Sequence, residues 1–241
     1  VTLAGASPAT TGSFTPTAGV AIFVSVASTR NDSGTPIKPS ISDSAGHTWT
    51  EIGSGSHTHP SNSRRTYAAV YSTVASGAPM TVTCTASGCG IVADVVAIAG
   101  ATSGGSNYGF GGHNSGNPSV TMPSTPSGMV VTSIAGHLAQ TITPPTGFSD
   151  LAQFTSASPH NRTLWAGYRQ SGSGNPINFA TALSTSVAQA FEVTVGSTGP
   201  TPVTASASVS LPKLSASGSA DAETETTPSG FSSGFSSGFG A

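Results

Sequence analysis

The second half of this chain repeats the first in the same order of residues, and that repeat limits the possible folds more than any other feature. Pro16 to Val24 (PTAGVAIFV) enters its first apolar run as Thr125 to Thr132 (TPSGMVVT) does, with Gly19 over Gly128. Gly46 to Ile52 (GHTWTEI) corresponds to Gly147 to Ala152 (GFSDLA). Arg65-Thr66 and Tyr71 meet Arg162-Thr163 and Tyr168, Gly77 and Pro79 meet Gly174 and Pro176, Val92-Ala93 meets Val187-Ala188, and Ile98 meets Val193. Ser/Thr/Gly-rich stretches resemble one another by chance, but these matches include scarce residues in one consistent order. A repeat of this length is one supersecondary unit built twice. The units, residues 2–105 and 108–196, form either two small sandwiches or the two halves of one larger body. A single body covers its sheet edges better.

Each unit reads as strands. Apolar residues rarely recur at helical spacing for more than a turn, and Gly or Pro interrupts most candidate windows. Val20 to Ala27 (VAIFVSVA) has the composition of a buried strand, and Arg65 to Val74 (RTYAAVYSTV) alternates small or polar residues with aromatic and β-branched ones. Met80 to Thr85 and Ile91 to Ala99 continue the pattern. Between them lie turn sequences at Asn31 to Gly34, Ser76 to Pro79 and Ser87 to Gly90. The expectation is an all-β, jelly-roll-like β-sandwich over residues 1–200, built from two internally repeated halves.

Its surface is rich in hydroxyls and poor in charge. Charged residues make up 7% of the chain, against about 25% in typical domains. A net charge of -2, with seven basic residues, lacks the footprint that nucleic acid requires. No stretch of about 18 apolar residues is present, so no membrane insertion is expected. Val1 to Thr11 lacks the basic and apolar regions of an export signal. So little charge suits a component held in a permanent assembly.

Residues 201–241 differ from the body. Pro202 to Leu211 alternates like an edge strand, and the chain then becomes an extended C-terminal arm ending in Ser229 to Ala241 (SGFSSGFSSGFGA). Its composition alone reads as disordered. Phe231, Phe235 and Phe239 recur every fourth residue. Seating each in a neighbour's groove would contribute about 1.5 to 3 kcal/mol, so the arm is expected to clasp an adjacent subunit.

Few constellations suggest chemistry. The Gly-x-Ser-x-Gly pattern at Gly230 to Gly234 lies in the repetitive arm, without the strand and helix that a nucleophile elbow needs. Asp94, inside the run IVADVVAIA, is the most unusual acid; its repeat partner is Gln189, which points to a solvent-facing polar position rather than a catalytic one. His57 and His59 are the candidate metal ligands, as an H-x-H pair on one side of an extended segment. Their surroundings (GSGSHTHPSNSRR) read equally as a solvated loop, and no cofactor is implied. Cys84 and Cys89 flank a four-residue turn, where a disulfide and two free thiols are both open. Trp49 and Trp165 read as core or sheet-packing residues. The expectation is a protein without enzymatic activity.

The segment Ser42 to Ile52 (SDSAGHTWTEI), the strand Tyr67 to Val74, the turn and strand Ser76 to Thr85 and the run Val92 to Ala99 resemble the D-x-x-G-N-T-W-T β-sandwich module of bacteriophage virion proteins and bacterial surface proteins. His47 stands where that module has Asn, and Ala97-Ile98-Ala99 replaces its aromatic-acidic ending. The closing Ser-Gly-Phe repeats resemble the ends of minor tail proteins of phages that infect actinobacteria. The resemblance implies a virion protein, a minor tail protein at the tail tip or fibre, assembled in the host cytoplasm. Its partners would be copies of itself, other virion proteins and, on contact with the host, a surface glycan. A capsid decoration protein and the carbohydrate-binding module of a bacterial surface protein are the alternatives.

Overall fold

In the computed structural model, the residues described are 1–31, 34–60, 64–137, 140–156, 162–172, 174–195 and 201–203. All regular structure among them is strand. The first half supplies β1 (Thr2–Ala6), β2 (Ala9–Thr10), β3 (Ala21–Arg30), β4 (Ser40–Asp43), β5 (Thr50–Thr58), β6 (Arg65–Val74), β7 (Val82–Thr85) and β8 (Gly90–Ala99). The second supplies β9 (Ala101–His113), β10 (Ser119–Val120), β11 (Met129–Gly136), β12 (Ser149–Ser156), β13 (Arg162–Arg169), β14 (Ile177–Asn178) and β15 (Ser186–Val195), followed by β16 (Thr201–Val203).

The repeat is visible in the topology. The main sheet of the first half runs β1-β8-β3-β6-β5, and that of the second runs β9-β15-β11-β13-β12, the same order of equivalent strands. Each half adds a small sheet, β2-β7-β4 in the first and β10-β14 in the second. All pairings are antiparallel, and the fold is an all-β sandwich.

Burial explains why the central strands read as unbroken apolar runs. Ile22, Val24 and Val26 of β3 join Met80, Val82 and Ile91 in a core between the first main sheet and its small sheet. Val130, Ile134 and Trp165 join Ile177 and Phe179 in the matching core of the second half. The alternate residues, Ala21 and Phe23 with Val70, Val96, Met129, Val131 and Phe191, form a third core between the two main sheets. The body therefore has four layers, and β3, β8 and β11 are buried on both faces. A strand covered on both sides has no polar face to alternate with.

Register shifts two segments of the sequence alignment by one residue, β3 over β11 and β6 over β13. Val24 pairs with Tyr71 on one side and Val95 on the other, and its counterpart Thr132 pairs with Gly167 and Ala190. Tyr71 is thus equivalent to Gly167, one residue short of Tyr168. Tyr71 lies in the first-half core, whereas Tyr168 packs on the cluster between the main sheets. A one-residue slip moves a side chain to the opposite face of the sheet. Asp94 and Gln189 do correspond, pairing with Ser25 and Ser133.

The halves interlock through β5 and β9. A Cβ on Gly53 would stand 2.3 Å from the Tyr108 ring, and one on Gly55 would stand 2.6 Å from the Phe110 ring. In return, Gly112 leaves room for His57. Buried Arg162 adds a bond across the halves, donating from Nη1 to the Gly5 carbonyl at 3.0 Å. The outer edge of β8 is covered by β1 along residues 90–94 and by β16 along residues 97–99, where a single strand, β9, lines the equivalent edge of β15.

Candidate functional site

Each half has a corner where the loop ahead of one long strand, β5 or β12, meets the turn that follows the next one, β6 or β13. In the first half the loop belongs to the Asp43 to Trp49 motif. Asp43, with its side chain fully buried, accepts hydrogen bonds from Trp49 Nε1 at 2.7 Å, from the Ala45 amide at 2.9 Å and from the His47 amide at 3.2 Å. His47 Nδ1 lies 2.9 Å from Asp43 Oδ1. Burial pushes the Asp43 carboxyl upward, but these bonds together outweigh it and hold the group below its ordinary value.

On its other side His47 Nε2 lies 3.0 Å from Ser76 Oγ, so Asp43, His47 and Ser76 stand in the order of a catalytic triad. The Ser76 amide also donates to His47 Nε2, at 3.1 Å. The lone pair that a general base needs is therefore bound to backbone, and the ring proton belongs on Nδ1, facing Asp43. The chemistry of this row is that of a clamp. It ties the loop to the turn, and Thr73 reinforces it by donating to the Thr48 carbonyl at 2.9 Å.

The second half leaves the same corner open. Register makes Arg169 the counterpart of Thr73, because Ile22 pairs with Thr73 as Val130 pairs with Arg169. Between the loop and the turn lies a cavity of about 240 Å³, walled by Pro145, Phe148, Pro176 and Ile177 and edged by Thr146 and Asn178. Arg169 also lines it. Its guanidinium carbon sits 5.0 Å from the centre of the Phe148 ring, and its Nη2 donates to the Gly174 carbonyl at 2.8 Å. Burial lowers the pKa of Arg169, and no carboxylate pairs with it among the described residues. The Asp and Trp pairing does recur here, with Trp165 Nε1 donating to Asp150 Oδ1 at 2.6 Å.

The residues singled out from sequence are dispersed. His57 lies on β5, not in a loop; it is partly buried, and its Nε2 is 2.9 Å from Asn114 Oδ1. Burial lowers its pKa, and the nearby His113 and His59 add to that. Among the described residues, no three His, Cys, Asp or Glu side chains gather closely enough to hold a metal ion. Cys84 and Cys89 are buried and form no disulfide with each other. They do not face each other across a hairpin, because β7 belongs to the small sheet and β8 to the main one. Burial pushes the Cys84 thiol up to about 12.

Asp94 is not solvent-facing. It is 3% exposed and points toward the second main sheet, with the Val1 amino nitrogen 3.8 Å away. Gln189 is equally buried and donates to Ser133 Oγ at 3.2 Å. Trp165 is fully buried and Trp49 packs on the first-half core, as sequence suggested. Phe231, Phe235 and Phe239 lie outside the described residues.

Sequence reasoning missed both corners. His47 showed no ligand spacing, and its partner Ser76 is 29 residues away. The open groove left one trace, an arginine with no acid near it in the sequence. No family model, curated protein or solved structure matches the chain. Among the described residues, no helix is long and apolar enough to cross a membrane.

Proposed function

We propose that the chain is a structural protein of a bacteriophage particle, a minor tail protein at the tail tip or fibre that assembles with itself and with other virion proteins. The observation that carries this reading is the D-x-x-G-x-T-W-T stretch, Asp43 to Thr50, which resembles a module of virion proteins. Its geometry gives those residue types a reason to occur together: Asp43 collects the loop amides and the Trp49 indole into one fixed corner. His47, where the module has Asn, does the work of a clamp, so the departure leaves the corner intact.

Three further features fit a permanent assembly. The body is stiffened by burial on both faces of its main sheets. Its surface has little charge with which to hold a free protein in solution. The Ser-Gly-Phe repeats supply regularly spaced apolar anchors for a neighbour. On this reading the protein acts without enzymatic activity and is assembled into particles in the host cytoplasm.

Immunogold electron microscopy of particles of the phage that encodes the chain tests the reading. Antibody raised against the folded body should label the tail tip. Label distributed over the head would assign the protein to capsid decoration instead, and unlabelled particles would reject the virion role.

A further inference from the structure

The two halves share one plan, so the corner at which they differ is informative. In the first half the loop and the turn are drawn together by the His47 and Ser76 bond and by Thr73. In the second half Phe148 lies in the loop and Arg169 replaces Thr73, and the corner opens into the cavity of about 240 Å³. An arginine placed against a cavity without a carboxylate leaves its charge to be met from outside. This one is also held in place before anything binds. Stacking on Phe148 and the bond to the Gly174 carbonyl fix the plane of the guanidinium, while its buried Nε makes no hydrogen bond among the described residues. A planar fork of N–H donors matches a carboxylate.

The rest of the wall sets the size and character of the ligand. The cavity is smaller than the roughly 300 to 1,000 Å³ of pockets that take drug-sized molecules, so it holds one ring and not a chain of them. Pro145, Pro176 and Ile177 offer C–H surface, and Thr146 and Asn178 offer hydroxyl and amide groups at the rim. A pyranose has the same two-sided character, with C–H groups on its faces and hydroxyls at its edge.

We propose that the groove between Phe148, Arg169 and Pro176 binds a single carboxylate-bearing sugar unit, with the carboxylate on Arg169 and the ring against the proline wall. The inference concerns a small-ligand site and stands apart from the virion reading, because the isolated chain is sufficient to test it.

Protein-observed NMR of the full chain, titrated separately with glucuronate, glucose, acetate and glucose 6-phosphate, is the test. Glucuronate should shift the amide signals of Thr146 and Gly174 saturably, with a dissociation constant on the order of 1 mM. Glucose, which lacks the charge, and acetate, which lacks the ring, should each bind at least about tenfold more weakly. Arg169→Gln should weaken glucuronate binding roughly tenfold, by loss of a charge-assisted bidentate contact. Asn178→Ala, on an exposed position of β14, should weaken it about threefold without disturbing the corner. Glucuronate binding no better than glucose, or unaltered in both variants, would overturn the proposal. Tighter binding of glucose 6-phosphate than of glucuronate would overturn the carboxylate assignment in favour of a phosphate.

Discussion

Asp94 shows how far a single residue is readable without a fold. Its place in an apolar run marked it as unusual, and its pairing with Gln189 marked the position as polar; both hold in the structure. Its direction did not follow, because alternation separates the two faces of a strand without saying whether the second face meets water or another sheet. Burial drives the Asp94 carboxyl up to about 6, the Val1 amino group opposing that rise. A carboxyl raised in the fold binds its proton more tightly there than in the unfolded chain. Its contribution is therefore fully present below about pH 4 and is lost as pH rises through about 6. Asp43, Glu51 and Glu192, held below their ordinary values, have the opposite slope. The difference in unfolding free energy between wild type and Asp94→Asn isolates Asp94. Relative to the variant, wild type should lose on the order of 2 to 3 kcal/mol between pH 4 and pH 7. A difference that stays flat over that range would mean that Asp94 is solvated.

Elements were legible where their chemistry is ordinary. The strand read at Arg65 to Val74 is β6, and the run at Ile91 to Ala99 is β8 less its first residue. The longest strand, β9, escaped, because ATSGGSNYGFGGH has the composition of a loop. Its glycines answer to packing: added Cβ atoms on Gly109 and Gly111 would come within 2.6 Å of the Thr121 carbonyl oxygen and 2.2 Å of the Ser119 carbonyl oxygen. A sequence does not announce which strand another backbone will approach. The facing strand β5 follows the same rule, and Gly55→Ala tests it. The new methyl group should cost about 1 to 3 kcal/mol of stability by overpacking against Phe110. In a Phe110→Ala background most of that cost should vanish, since the double-mutant cycle removes the ring the methyl group strikes. An unchanged cost in both backgrounds would place the strain elsewhere.

For the whole molecule, the repeat was legible as sequence and the way its copies join was not. Two small sandwiches and one larger body both satisfied the alternation. The structure answers with two sandwiches whose main sheets share a core, lined by Phe23, Val70 and Val96 from one half and Met129, Val131 and Phe191 from the other. Neither half covers that face alone. The open groove at Arg169 belongs to this scale too, since only comparison of the halves reveals that the first has closed its corner. The central claim is that the halves fold as one cooperative body. The chain has two tryptophans, one in each half, so a Trp49→Phe variant leaves Trp165 to report on the second half alone. Ile91→Ala, deep in the first-half core, should remove about 2 to 5 kcal/mol. Urea unfolding of the Trp49→Phe chain, followed by Trp165 fluorescence with and without Ile91→Ala, is the most direct measurement. The account predicts that the midpoint read in the second half falls by the full amount that the first half loses; a Trp165 midpoint left unmoved would contradict it.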